Sequence, residues 1–414
     1  MWWRTPEPRN VLAGDHTVVS RVDVLHAGQP VYQLAVISGS VSMDADRPVR
    51  SNLSCSLVDP TGDLSRGDVG DLLNPYDCEI APHRGVRITT TTTTASETYT
   101  PNQGFGVQPF GSSGFGGVEG TSVLLSTSTF RDVLAPLGVF GLTSRQVVDS
   151  PDGLRISLAG QDRAMAFQGP MSSAVAISAG TPVEAAIQRL LLARQPGLSL
   201  LAMNTGHTVG PLVFAPDVDV WAEARKMAES VGGRLFHDRV GQCVLAAAGA
   251  ASDVPVARYA ESGGLLLDVD RAEDSDTIRN VVVAESEDGS IRVEAADTDT
   301  ASPTYHRGRY GRRVYTMTSP YFGSVGQAVQ AATARLAYEL GRAETVSFTA
   351  VPDPGLDVDE VVTVHRPRAG LTDRGVVVAT LDVPLSATEP MRVGCRQSRL
   401  AMDGRALDDM GEAS

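Results

Sequence analysis

Apolar residues recur at two spacings along the chain, and the change of spacing divides it. Over residues 15–172 the period is two. Val22 and Val24 alternate with Arg21 and Asp23, and Leu53, Cys55 and Leu57 alternate with Ser54 and Ser56, the pattern that turns one face of a strand into a core. Asp59-Pro60-Thr61-Gly62 supplies turn chemistry after the second row, and Leu73-Asn74-Pro75-Tyr76 makes another break. Thr89 to Thr94 are β-branched but lack apolar alternation, which predicts an exposed strand or a solvated connector. From Pro101 to Gly120 the chain turns to Gly, Ser and Phe, with Phe105, Phe110 and Phe115 five residues apart. Glycine at this density forbids a stable helix and places the aromatics on a flexible loop. β-like sequence resumes at Ser122 to Ser128, so the segment near 95–121 is expected to be an insertion in the first β-domain.

Helical spacing appears next. Thr181-Pro182-Val183-Glu184 has the form of a capping box with proline at the first helical position, followed by Val183, Ile187, Leu190 and Leu191 on one face. A second helix is predicted from Asp219, carrying Val220, Ala224, Met227 and Val231 and ending at Gly232-Gly233. Residues 234–238 and 243–247 then form a predicted hairpin. Beyond about Gly263, residues 280–284 and 290–294 pair across Glu287-Asp288-Gly289. A third helix is expected from the box Ser324-Val325-Gly326-Gln327, with Val325, Val329, Ala332, Leu336 and Leu340 as its stripe. Its alanines permit close approach to a neighbouring sheet. Val346, Phe348 and Ala350 return to the period of two, and further strands are expected over 361–364 and 376–383.

At 414 residues the chain calls for two to four domains of roughly 100 to 150 residues. Its 42% hydrophobic and 20% charged content is that of a globular protein. No apolar run approaches the roughly 20 residues of a membrane-spanning helix, and the first residues lack the apolar region of a signal peptide, so synthesis in the cytoplasm is expected. Cys55, Cys78, Cys243 and Cys395 are scattered, indicating neither a zinc cluster nor a disulfide framework but reduced, buried thiols. A net charge of −14 argues against gripping nucleic acid by phosphate neutralisation, although an acidic lining would let DNA slide past. Lys226 is the only lysine, a bias that reads as a GC-rich genome.

The usual catalytic constellations fail one by one. The lone lysine excludes a phosphate-binding Gly-Lys-Ser/Thr loop, there is no G-x-S-x-G elbow, and the seven histidines show no metal-binding spacing. Two acidic clusters stand out, Asp268 and Asp270 with Glu273, Asp274 and Asp276, and Asp353 with Asp357, Asp359 and Glu360. The first lacks the glycine and the distal glutamate of an EF-hand loop, and solvated loop carboxylates are the expected role. The densest cationic stretch, Tyr305 to Arg313, carries Arg307, Arg309, Arg312 and Arg313 and could contact nucleic acid or a partner's acidic surface. In so acidic a chain, an inter-subunit salt-bridge loop is the favoured reading. No enzyme activity and no cofactor or metal is expected.

The order of several segments carries a resemblance. Val36-Ile37-Ser38-Gly39-Ser40-Val41-Ser42, Arg50 to Leu57, Leu72 to Tyr76 and Arg84-Gly85-Val86, continued by Pro136 to Phe140 and Ser157 to Arg163, resemble the opening domain of siphophage tail-tip hub proteins of actinobacterial phages. Arg279 to Val283, Ser302-Pro303, Ser319-Pro320, the helix from Ser324, and residues 354–362 are similar to the later hub domains. Where that family commonly has Leu-Asp-x-Gly-Asp, this chain has Leu356-Asp357-Val358-Asp359-Glu360, with Asp359 in place of glycine.

The resemblance implies a mainly β, α+β, multidomain baseplate-hub fold with two β-barrel-like tube-ring domains and smaller α/β domains. Its expected parts are an arm over 1–14, a first barrel-like domain over 15–172, a small α/β domain over 173–258, an α+β domain over 259–350, a second barrel-like domain over 351–400 and an acidic tail over 401–414. It further implies a non-enzymatic homotrimer in the virion that joins the six-fold tail tube and distal tail protein to the tip and closes the DNA channel. The tape-measure protein and tail fibre or tip proteins would be its other neighbours, and no sequence-specific nucleic-acid binding is expected. A receptor- or carbohydrate-binding minor tail protein is the alternative, with a tail-associated cell-wall hydrolase behind it. Phe105, Phe110 and Phe115 are expected to dock on another tail subunit.

Overall fold

The computed structural model describes residues 16–59, 72–99, 120–151, 153–248 and 254–397, together with Leu12 and Leu64. Eight strands come first: β1 (Thr17–His26), β2 (Gln29–Leu34), β3 (Val36–Asp44), β4 (Ser51–Val58), β5 (Cys78–Tyr99), β6 (Gly120–Pro136), β7 (Phe140–Ser150) and β8 (Gly153–Asp162). They pair antiparallel in the order β3-β4-β8-β7-β5-β1-β2, with β6 on β5. The period-two rows fall where the alternation puts them: Val22, Val24, Leu53, Cys55 and Leu57 are all buried. Gly39 serves a close approach on β3. With φ at +139°, a Cβ there would lie 2.2 Å from the Ser54 carbonyl oxygen of β4.

β5 and β6 pair from His83↔Pro136 out to Tyr99↔Gly120, whereas β1 follows β5 only as far as Arg87. Beyond that point β5 and β6 run on as a two-stranded ribbon, and the threonine run is part of it. The Gly/Phe segment joins the ribbon's two strands. Phe105, Phe110 and Phe115 lie outside the described residues, as do most of the expected arm and all of the tail from 401.

The next unit holds β9 (Val175–Ile177), α1 (Val183–Leu192), β10 (Leu200–Ala202), β11 (Leu212–Phe214), α2 (Val220–Glu229), β12 (Gly233–His237) and β13 (Cys243–Ala247). β12 and β13 form the expected hairpin and β10 joins β13 in parallel. Ile187, Leu190 and Leu191 of α1 meet Val220, Ala224 and Met227 of α2 around Phe167 and Trp221, all buried. Asp219 caps α2 as expected, accepting from the Ala222 amide at 2.8 Å. The capping box of α1 does not form. Pro182 is extended and stands at the N-cap, Thr181 donates to the Ser178 carbonyl, and the Glu184 carboxylate accepts from the Thr205 hydroxyl. The helix entry is held instead by the Val183 amide on the His207 carbonyl, which gives an otherwise orphan donor a partner.

β14 (Ala257–Ala260) and β15 (Leu266–Glu273) precede a three-stranded sheet of β16 (Val281–Ser286), β17 (Arg292–Ala296) and β18 (Val314–Ser319), which α3 (Val325–Gly341) covers. Ser324 caps α3 by accepting from the Gln327 amide, but the Gln327 side-chain oxygen accepts in return from the Gly323 amide. The stripe is rotated from the expected one: Val325 and Val329 are 60% and 47% exposed, and Ala328, Ala331, Ala332, Leu336 and Leu340 face inward. Alanines let the helix lie close to the sheet, and Gln327 fixes its rotation through bonds to Ser230 and the Tyr321 carbonyl.

The chain closes with β19 (Glu344–Ala350), β20 (Val361–Arg366), β21 (Leu371–Pro384) and β22 (Met391–Gln397). Here β15 pairs β19, β19 pairs β22, β22 pairs β21, β20 lies on β21 and β14 on β20. β21 also pairs β3, from Thr380↔Asp44 to Pro384↔Ser40. The first and last β-units are therefore one 14-stranded sheet, and a single apolar cluster runs from Val22 through to Cys395. The class is α+β and mainly β, as the periodicities indicate. The strand path ends at β15 and β2, and no pairing among the described residues closes it into a barrel.

Candidate functional site

Five pieces of the fold converge on one cleft of about 1250 Å³. The turn between β3 and β4 brings Asp46 and Arg50, β12 brings Arg234, α3 brings Tyr338, the segment before β20 brings Asp357 and Asp359, and β22 brings Arg396, while Arg239 in the turn after β12 joins through Asp357. Arg234 spans Asp359 at 2.6 Å and Asp46 at 2.9 Å; Arg396 reaches Asp359 at 3.3 Å; Arg50 and Arg239 reach Asp357 at 3.4 and 3.2 Å. Tyr338 donates to Asp46, and the Arg335, Arg396 and Arg234 guanidinium groups lie over its ring.

Burial alone would weaken the Arg234 charge, but Asp359 and Asp46 outweigh it and raise its pKa. Burial and the bond to Asp46 push the Tyr338 hydroxyl up to about 12. Asp359 sits in the left-handed region at φ +66°, which glycine adopts freely and aspartate tolerates better than most residues. Its carboxylate meets three arginines, Arg234, Arg396 and Arg50.

Arginine also captures backbone carbonyls across the units. Arg84, almost fully buried, donates to Pro384 and Ser386 at 2.6 Å each, Arg50 to Val358 at 2.8 Å, and Arg239 to Pro354 and Leu356. A guanidinium with five donors satisfies several carbonyls at once where an ammonium could not do so in a plane. Trp221 adds an indole bond to the Pro48 carbonyl at 2.7 Å. These contacts make the junction a lock between units. Each of its aspartates Asp46, Asp357 and Asp359 is held by a guanidinium.

The candidate residues fall out differently. The second acidic cluster is no solvated loop: Asp353 is buried, accepting from Tyr259 and the Gly355 amide, and Asp357 and Asp359 belong to the lock. Distant arginines reverse the expectation, and no local sequence signal names them. In the first cluster Asp268 and Asp270 are exposed on β15, Glu273 pairs Arg271, and Asp274 caps a short turn. Among the described residues no group of three His, Cys, Asp or Glu could hold a metal.

The cationic stretch is an ordered loop between β17 and β18. Its base is fixed by Asn280, whose amide donates to the Thr304 and Gly311 carbonyls, and by buried Asp297, which takes Ser302 and Thr304. Arg312 pairs Glu294, Arg309 and Arg313 both lie over the Tyr310 ring, and Arg307 and Arg309 are exposed. All four cysteines are free and buried, as expected, with burial raising the Cys55 and Cys243 thiols to about 12. His237 completes a triangle of rings with Phe167 and Trp221 at centroid distances of 5.7 and 5.4 Å, and burial with nearby Arg163 lowers its pKa to about 3.

No family model and no curated protein matches the sequence. Solved structures match over nearly the whole chain. A tail protein from Neisseria meningitidis superposes with a TM-score of 0.55 at 14% identity, covering 92% of this chain and 98% of its own. The fold is shared with phage tail proteins. A 43 kDa prophage tail protein from Shewanella oneidensis gives 0.57 at 11% identity, covering 92% and 99%. No described helix is long and apolar enough to cross a membrane.

Proposed function

We propose that the chain is a structural component of a bacteriophage tail and, more specifically, the baseplate hub at the tail tip. Three copies form a ring that joins the tail tube and distal tail protein to the central tip, next to the tape-measure protein and the fibre or tip proteins, and closes the DNA channel until host contact. The first and last β-units act as the two tube-ring domains, and the smaller units stand between them. The ring is not an enzyme and resides in the virion after assembly in the host cytoplasm.

The observation that carries the reading is the coverage of the two tail-protein matches, which take in 92% of this chain and 98% and 99% of their own. The lock supports it, because a part that transmits force between a tube and a tip needs its units fixed to one another. Antibody against this chain should decorate purified particles at the tail end away from the head. Decoration along the tail length or on the head overturns the hub assignment.

A further inference from the structure

A second depression lies on the face of the large sheet opposite its core. It has a volume of about 470 Å³ and runs across β15, β19, β22, β21 and β3. Cross-strand register places Asp270 opposite Ser347, Ser347 opposite Gly394, Gly394 opposite Thr380 and Thr380 opposite Asp44; a parallel row runs from Asp268 through Thr349, Arg392 and Asp382 to Ser42. Glycine in the first row leaves it one side chain short. The lining carries Asp44, Asp268, Asp270 and Asp382 against Arg47 and Arg392. Of these four carboxylates only Asp44 forms an ion pair among the described residues, with Arg47 at 3.2 Å, and Asp268 accepts from the Val269 amide. Asp268 and Asp270 form no ion pair among the described residues, and one Asp382 oxygen is buried without any hydrogen-bond partner even though Arg392 is its neighbour in register. A desolvated carboxylate oxygen with no donor is costly.

The chain's own surface holds the complementary group. Arg307 and Arg309 are exposed at the tip of the loop between β17 and β18, and neither forms an ion pair among the described residues. The loop needs little ordering to bind: successive turns from Ser302 to Gly311 and the Asn280 bridge already fix its backbone. Guanidinium forks match carboxylates better than any other side chain.

We propose that the arginine loop of one copy, through Arg307 and Arg309, seats in the Asp268/Asp270/Asp382 groove of a second copy. Donor and acceptor are different surfaces, so each copy gives one contact and receives one, the head-to-tail arrangement that closes into a ring. The inference rests on the ring of the proposed function and assigns one of its interfaces.

The test uses full-length chains carrying single cysteines, Arg309→Cys on one and Asp270→Cys on a differently tagged other, since the native thiols are buried. Mixed under mild oxidation, the two should give a disulfide-linked heterodimer that neither gives alone. Asp268→Asn with Asp270→Asn should weaken self-association by about tenfold or more, and raising salt from about 0.1 to about 1 M, which cuts the screening length from about 10 to about 3 Å, should do the same to the native chain. Failure of the mixed cross-link overturns the contact, and so does an Arg307→Ser with Arg309→Ser variant whose self-association is untouched. A ring seen at the tail tip without the cross-link leaves the proposed function standing; a cross-link in a chain absent from the tail leaves only the contact.

Discussion

Replacing Asp359 separates the two roles the structure gives it. Its carboxylate touches Arg234, Arg396 and Arg50 at 2.6, 3.3 and 4.0 Å, with side-chain exposures of 29% for the aspartate and 10 to 22% for the arginines. Removing one partner of a fully buried pair costs about 3 to 5 kcal/mol, and of an exposed pair at most about 1 kcal/mol. The partial exposure here sets the ionic loss at about 2 to 3 kcal/mol. Backbone conformation adds to this, because an alanine at φ +66° costs about 1 kcal/mol more than a glycine. Asp359→Ala should therefore destabilise by about 3 to 4 kcal/mol, Asp359→Gly by about 2 to 3 kcal/mol, and Asp359→Asn, which keeps the conformation and one acceptor, by less than either. Equilibrium urea unfolding of the purified chain, followed by tryptophan fluorescence, orders the three. A double-mutant cycle with Arg234→Ala should give a coupling above about 1 kcal/mol. Equal losses for alanine and glycine would refute the backbone argument, and a coupling near zero would refute the lock.

Three further outcomes follow from other parts of the molecule. The folded His237 refuses a proton down to about 3, whereas the unfolded chain takes it near 6.5, so stability should fall as pH drops through that window; Asp162, raised by burial to about 6, opposes this between about 6 and 3.8 because the folded carboxyl protonates first. His237→Phe should flatten the acid limb of melting temperature against pH, and an unchanged limb removes His237 as its cause. Replacing Phe105, Phe110 and Phe115 together by serine should leave the melting temperature of the isolated chain within about 2 °C while reducing tail assembly, each ring being worth roughly 1.5 to 3 kcal/mol when buried on a partner; loss of folding would place them in the chain's own core. Purified actinobacterial cell wall incubated with the protein should release no soluble sugar or peptide, and turnover abolished by replacing an acidic pair would contradict a purely structural role.

Periodicity made much of the fold legible. Val22 with Val24, Leu53 to Leu57, and Val346 to Ala350 each declared a strand and its inner face, and Asp219 and Ser324 each declared a helix start. The failures have local causes. Val325 and Val329 fit a helical stripe as well as Ala328 and Ala331 do, and hydrophobicity alone favours the valines; only the close approach to β16 and β17 selects the alanines. Pairing of β3 with β21 joins residues more than 330 positions apart, which no spacing rule reaches. The lock was invisible for the same reason: Asp357 and Asp359 are plain loop acids until Arg50, Arg234 and Arg396 arrive from three other segments. The glycine-to-aspartate departure at 359 marked an unusual turn and named none of these arginines.

The central claim is a place and a copy number, and a reconstruction of the intact tail tip reads both. At a resolution that separates strands, the account predicts three copies of this chain around the channel, with the 14-stranded sheet recognisable in each and β21 lying against β3. A single copy, six equivalent copies, or density for this fold anywhere other than the tip would contradict it.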